Sequence, residues 1–232
     1  MKLKSRNLIL GVGLLMSSLG VVNAAPQSGA YGCDQIVDKQ YYSACYNYEL
    51  KGTLFVKGSL SVSQLKAPSL ERKSMRFFEE TAIPARYRKK LSDYRGSGLD
   101  RGHLFSNSSL NYSRPAQKSS FSLLNTVPQY PKANRGIWKY VETASRRLAI
   151  KKGGVIMITG AVYDRITPKR VGAGRIAIPT HTYKIMKFGD GDVLTFLVPN
   201  KNDDMGKKPS NFKSSLEEVK KLTGFDFRNE LR

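Results

Sequence analysis

The chain has 232 residues, with 39 Lys and Arg against 18 Asp and Glu, giving a formal charge of +21 at pH 7 at 40% hydrophobic and 25% charged residues. Length and 12 Tyr with 10 Phe are enough for one packed core, which excludes a disordered polycation. The excess charge therefore sits on a folded surface and favours anionic partners, phosphate polymers first and anionic lipid or acidic glycans after them. It argues against a catalyst for cationic or apolar substrates.

Along the chain, Lys2, Lys4 and Arg6 precede an apolar run from Leu8 to Val22 and a small-residue cleavage site at Val22-Asn23-Ala24. This is the pattern of a secretory signal peptide over residues 1–24. The run is shorter than the ~20 residues a spanning helix needs, so the alternative of an uncleaved anchor is weaker, and the mature chain has no membrane span. Loss of the three basic residues leaves +18 on residues 25–232, read as a single domain. Cys33 and Cys45 are the two cysteines. In an exported protein they are expected to form one disulfide contributing about 2–3 kcal/mol, with two free thiols as the alternative. The two Cys and two His, at positions 33, 45, 103 and 181, lack zinc-finger spacing, so a metal would be held mostly by oxygen ligands.

Strands are expected over Tyr48 to Val56 and Gly153 to Tyr163, and over Arg175 to Phe188 and Val193 to Val198 as a hairpin across Gly189-Asp190-Gly191-Asp192. Ile137, Val141, Ala144 and Leu148 have helical period, as do Phe212, Leu216, Val219 and Leu222 before Gly224. Strands and helices in unequal runs predict an α+β fold, a mostly antiparallel central sheet flanked by helices.

Three blocks lie close together: Asp100-Arg101-Gly102-His103, Asn125-Thr126-Val127-Pro128-Gln129, and Asn134-Arg135-Gly136-Ile137-Trp138 with Glu142. In order and spacing this resembles the DNA/RNA non-specific endonucleases, secreted or periplasmic members of the ββα-metal nuclease superfamily. The likeness extends over roughly Arg72 to Phe227, with Arg76 and Phe78 upstream and Thr223-Gly224 near the end. It implies a ββα-metal catalytic motif with His103 on a strand or hairpin and Asn134 at the start of the following helix.

Phosphodiester cleavage needs an activated water, charge neutralisation on the non-bridging oxygens, and stabilisation of the departing oxyanion. His103 suits the general base, because imidazole titrates near neutral pH. The resemblance makes Asn134 a direct metal ligand through its amide oxygen and Glu142 a ligand through water, which suits Mg²⁺, with Mn²⁺ as a substitute. It makes Arg101 and Arg76 phosphate clamps, with Arg72 a rival to Arg76, and Asp100 and Asn125 supports for His103, metal waters or the local backbone. Gln129, Gly102 and Trp138 read as structural, Gly102 allowing a tight turn before His103, and His181 is left outside the site.

The expected activity is a metal-dependent, sugar-nonspecific endonuclease acting on DNA and RNA, exported to the periplasm or beyond and leaving 5′-phosphate ends. A catalytically silent nucleic-acid-binding or uptake protein on the same scaffold is the alternative. A cationic envelope protein would explain the charge but not the spacing.

Overall fold

The computed structural model describes residues 31–231, so the signal-peptide expectation for residues 1–24 lies outside the described residues. The strands are β1 (Gln35–Asp38), β2 (Ser43–Asn47), β3 (Gly52–Leu60), β4 (Asp100–His103), β5 (Thr126–Gln129) and β6 (Val155–Val162), then the two-residue β7 (Arg170–Val171) and β8 (Ile176–Ala177), β9 (His181–Phe188), β10 (Val193–Pro199) and β11 (Lys213–Ser214). The helices are α1 (Val62–Lys66), α2 (Asn107–Leu110), α3 (Arg114–Ser120), α4 (Lys139–Lys151) and α5 (Leu216–Thr223). Seven strands form one antiparallel sheet in the order β1-β2-β3-β6-β9-β10-β11. β4 and β5 form a separate hairpin that leads into α4. This is the expected α+β architecture, with a ββα unit set against the sheet.

Local chemistry explains the boundaries. The hairpin between β9 and β10 turns through Gly191 at φ 91°, and Lys152 bridges the turn carboxylates Asp190 and Asp192 at 2.5 and 2.6 Å. The strand expected from Tyr48 starts instead at Gly52. The Asn47 side-chain oxygen accepts the Leu50 N–H at 2.8 Å and closes a turn before it. The run expected from Arg175 is broken at Pro179, which has no N–H for a ladder, so β9 begins at His181. In α5, Ser215 accepts the Glu218 N–H at 3.1 Å, and Gly224, at φ 81°, donates its N–H to Lys220 at 2.7 Å.

The cysteine expectation is corrected: Cys33 and Cys45 are free thiols. Cys33 lies near the exposed start of β1, its thiol directed to the Gln35 carbonyl at 3.5 Å, whereas Cys45 is buried in β2 beside a register shift. The Cys33 thiol is held below its ordinary pKa chiefly by its hydrogen bond with Cys45, against the opposing effect of burial.

Core residues occupy both faces of the sheet. On one face Leu104, Phe105, Trp138, Val141, Met157 and Met186 join the ββα unit to the strands. On the other, Ile158, Tyr183 and Ile185 pack against Val219 of α5 and against Phe227. Among the described residues no helix is long and apolar enough to cross a membrane.

Candidate active site

β4 and β5 pair in strict antiparallel register, with Asp100 opposite Gln129 and His103 opposite Thr126. Gly102 is extended backbone rather than a turn. A Cβ there would lie 1.9 Å from the Gln129 amide oxygen, so the missing side chain gives Gln129 room to cross the hairpin. Gln129 in turn donates to Thr182 of β9 at 3.3 Å, linking the hairpin to the sheet. Asn125, wholly buried, accepts the Phe105 N–H at 2.9 Å and donates to the Phe105 and Ser120 carbonyls. It therefore fixes the backbone just after His103 rather than touching the imidazole.

The chain reaches α4 through a wide π-type turn over Ala133–Trp138, kinked at Gly136, so Asn134 lies in that turn and not at a regular helix start. Trp138 is fully buried and its indole N–H donates to the His103 carbonyl at 3.0 Å. Strand β4 and helix α4 are thereby locked to each other at the backbone of His103.

A cleft of about 580 Å³ opens between them, with His103, Arg101, Asp100, Asn134, Glu142 and Arg72 in its wall. Arg135 forks onto both carboxylate oxygens of Asp100 at 2.6 and 2.8 Å, and Asn134 donates its amide N–H to the same carboxylate at 2.8 Å. Burial alone would raise the Asp100 carboxyl, but Arg135, Asn134 and Arg101 hold it below its ordinary range. With its nitrogen committed to Asp100, Asn134 leaves its Oδ1 without a donor among the described residues. Asp100 thus orients the amide that bears the free oxygen.

His103 sits between the Phe77 and Phe121 rings, with centroids 5.2 and 5.4 Å away. Its Nε2 is enclosed and has no partner among the described residues. Burial, then the Arg72 and Arg101 charges, push its pKa down to about 3, so the ring is neutral at pH 7. Burial pushes Glu142 the other way, up to about 7, against the pull of Lys184, Arg146 and Arg72. Behind Glu142, the buried Lys184 ammonium donates to Thr159 at 2.8 Å and to the Leu104 carbonyl at 3.4 Å, and lies 5.3 Å from the Trp138 ring centre. Burial lowers its pKa, while Glu142 opposes the shift.

Of the residues expected in the site, the structure brings together His103, Arg101, Asn134, Glu142 and Asp100, and places Asn125 behind them. It does not bring Arg76 in: that guanidinium donates to the Lys73 and Met75 carbonyls at 3.0 and 3.2 Å, outside the cleft, and Arg72 occupies the wall instead. Sequence reasoning missed Arg135, whose signal was its place inside the third block, and Lys184, a charge inside the buried Thr182–Met186 stretch of β9. His181 lies at the edge of β9, away from the cleft.

The donors suit a hydrated divalent cation. The free oxygen of Asn134 and the Glu142 carboxylate face one cleft, and no cluster of three His, Cys, Asp or Glu is present among the described residues.

The sequence model of the DNA/RNA non-specific endonuclease family matches residues 21–232. Human mitochondrial endonuclease G is 28% identical over 212 residues, covering 86% of this chain and 71% of that protein. Nuclease C1 of Cunninghamella echinulata var. echinulata is 30% identical over 209 residues, covering 84% and 83%. A crystal structure of an EndoG/EndoGI complex superposes with a TM-score of 0.76 at 25% identity, covering 83% of this chain and 85% of that one. With a ββα unit that presents His103 and Asn134 to one cleft and a match over nearly its whole length, the chain belongs to the DNA/RNA non-specific endonuclease family, hydrolases that act on nucleic acid.

Proposed function

We propose that the cleft hydrolyses phosphodiester bonds in both DNA and RNA without reading bases, with His103 as general base and Mg²⁺ as the working metal, leaving 5′-phosphate ends. The observation that supports this most is the convergence of a neutral imidazole, an amide oxygen oriented by Asp100 and three arginines on one cleft. Phosphate contacts position a nucleic acid without carrying sequence information, so a cleft walled by Arg72, Arg101, Arg135 and Lys139 matches non-specific cutting.

In this reading the enclosed Nε2 leaves Nδ1 of His103 as the nitrogen that takes the proton from the attacking water. Arg72 and Arg101 clamp the phosphoryl oxygens. Burial leads the lowering of the imidazole, and pairing of the two arginines with phosphate would offset the smaller part that their charges add, raising the basicity of His103 when substrate binds. Asn134 would hold the metal directly and Glu142 through water. Held there, Mg²⁺, or Mn²⁺ in its place, would supply Lewis-acid charge stabilisation to the phosphate under attack and to its leaving group. Asp100 keeps the Asn134 amide turned the right way, and Lys184 sets Glu142 and the Trp138 contact from behind.

We further propose that residues 25–232 form one exported nuclease domain, supported by the basic, apolar and small-residue pattern of residues 1–24. Digestion of supercoiled plasmid and of RNA, with Mg²⁺ or with chelator, tests the activity. Chelator-sensitive cutting of both is expected. Binding that shifts the plasmid but leaves it intact with every divalent metal would replace the reading with a silent nucleic-acid-binding protein. Fractionation with N-terminal sequencing tests export, for which an N-terminus at residue 25 outside the cytoplasm is expected and a cytoplasmic chain retaining residues 1–24 would contradict it.

A further inference from the structure

Beside the cleft lies a second groove of about 640 Å³ that the mechanism above leaves unused. Arg72, Phe77 and Arg101 line both spaces. The boundary is made of stacked side chains: Arg101 lies 4.7 Å over the Phe77 ring and Arg72 5.2 Å over Phe121. Arg76 and Arg95 also line the groove, with Met75 and the exposed Leu91. Arg76 spends one guanidinium nitrogen on the Lys73 and Met75 carbonyls, which fixes the group and leaves its other N–H donors free. Arg95 has no side-chain hydrogen bond or ion pair among the described residues.

No carboxylate lines this groove among the described residues. The acids nearest Arg76 and Arg95 in sequence bond backbone elsewhere: Glu79 accepts the Leu91 N–H at 3.2 Å, and Asp93 accepts the Lys90 and Gly174 N–H groups at 2.9 and 2.7 Å. A trough bearing two uncompensated arginines beside apolar side chains, and opening on a phosphate-cutting cleft, has the chemistry of a nucleic-acid strand track. Cations in such a track meet backbone phosphates while apolar surface accepts sugar and base.

We infer that this groove binds the nucleic-acid strand flanking the scissile phosphate, with Arg76 and Arg95 on flanking backbone phosphates and Met75 and Leu91 against the sugar or base between them. The inference rests on the reading of the neighbouring cleft as the cutting site. It gives Arg76 a place in substrate binding one or more nucleotides away from the bond cut. A free nucleotide or dinucleotide would fill the cleft and gain little from the groove, whereas a longer strand would use both.

The test is fluorescence anisotropy of labelled oligothymidylates of two and ten nucleotides, in chelator so that nothing is cut. The parent is compared with an Arg76→Ala, Arg95→Ala double variant and with Lys213→Ala, Lys221→Ala, which removes the same charge from exposed positions elsewhere. The groove variant should lose about tenfold in affinity for the ten-nucleotide strand, keep the parent's affinity for the dinucleotide, and show a log–log salt slope shallower by about 1.4, since each single-strand phosphate contact contributes about 0.7. An Arg76→Lys, Arg95→Lys variant should retain most of the lost affinity. Equal losses in groove variant and charge control, equal losses on both strand lengths, or no loss on the longer one would overturn the inference. With Mg²⁺ present, the groove variant should raise KM for the long strand and leave kcat unchanged. A parent that binds but never cuts would sink the cleft reading while the chelated binding data still decide the groove.

Discussion

The two faces of strand β9 follow different rules. Toward α5 it presents Tyr183 and Ile185, which pack with Ile158, Val219 and Phe227, and Phe227 touches the Phe55, Tyr183 and Phe225 rings at centroid distances of 5.3, 5.8 and 5.9 Å. Toward the ββα unit it presents Thr182 and Lys184, each hydrogen-bonded to a group that supports the cleft. Alternation along one strand puts the two sets on opposite faces. Both faces bury apolar area, but the cleft face also takes in a threonine, a glutamine and a lysine, whose bonds tie the hairpin to β9 and anchor Lys184 on Thr159 and the Leu104 carbonyl. The sheet is thus packed on both sides, with the buried polar supports of the cleft confined to one of them.

The comparison is broken most severely if a change on the cleft face costs stability instead of rate. His103→Ala should lower kcat by about 10²–10⁴-fold, the range expected for loss of a general base, with a thermal midpoint no lower than the parent's. Rate and melting curves on the same sample check this. A large loss of stability with modest loss of rate would return His103 to the core.

The α5 face makes the opposite prediction. Phe227→Ala should cost about 3 kcal/mol of unfolding free energy in a denaturant titration while leaving kcat at 25 °C within about twofold. A matching fall in kcat would show that the two faces are not separable.

Glu142 sharpens the cleft side through pH. Its carboxyl is raised to about 7 by burial, and only the ionised form would orient metal-bound water. Apparent Mg²⁺ affinity should therefore weaken about tenfold per unit as pH falls below 7 and level off above it. Glu142→Gln should flatten that dependence, and a parent-like slope in the variant would assign the titration elsewhere.

The smallest effect expected is at the hairpin. Gly102→Ala should cost about 1–3 kcal/mol by forcing Gln129 out of the way, and Gln129→Ala in the same chain should recover part of it. Strictly additive losses would mean that the contact between them is not what requires glycine.

Much of this was legible in the sequence because the ββα unit is local. Hairpin, turn and helix lie within Asp100–Lys151, so three short blocks held His103, Arg101, Asn134 and Glu142 together, and the helical periods and the Gly189–Asp192 turn gave the elements around them. What was not legible depends on the return of distant chain. Lys184 arrives from a strand about eighty residues after His103, and only the sheet order puts it behind Glu142. Arg76 and Arg72 lie in irregular backbone with no period to say which one turns inward, and the fold chose Arg72. The cysteine expectation came from the exported compartment rather than from geometry, and the structure holds both as thiols. The π-type turn at Asn134 has no periodic signal at all, since it replaces the first turn of a helix whose apolar stripe begins at Ile137.

The most direct measurement is the rate of plasmid cleavage against Mg²⁺ concentration for the parent and Asn134→Ala. If the Asp100-oriented amide oxygen holds the metal, the variant should need about 100-fold more Mg²⁺ for half-maximal rate or fail to turn over, with its fold intact. An unchanged half-saturating concentration would place the metal elsewhere and contradict the assignment of this cleft.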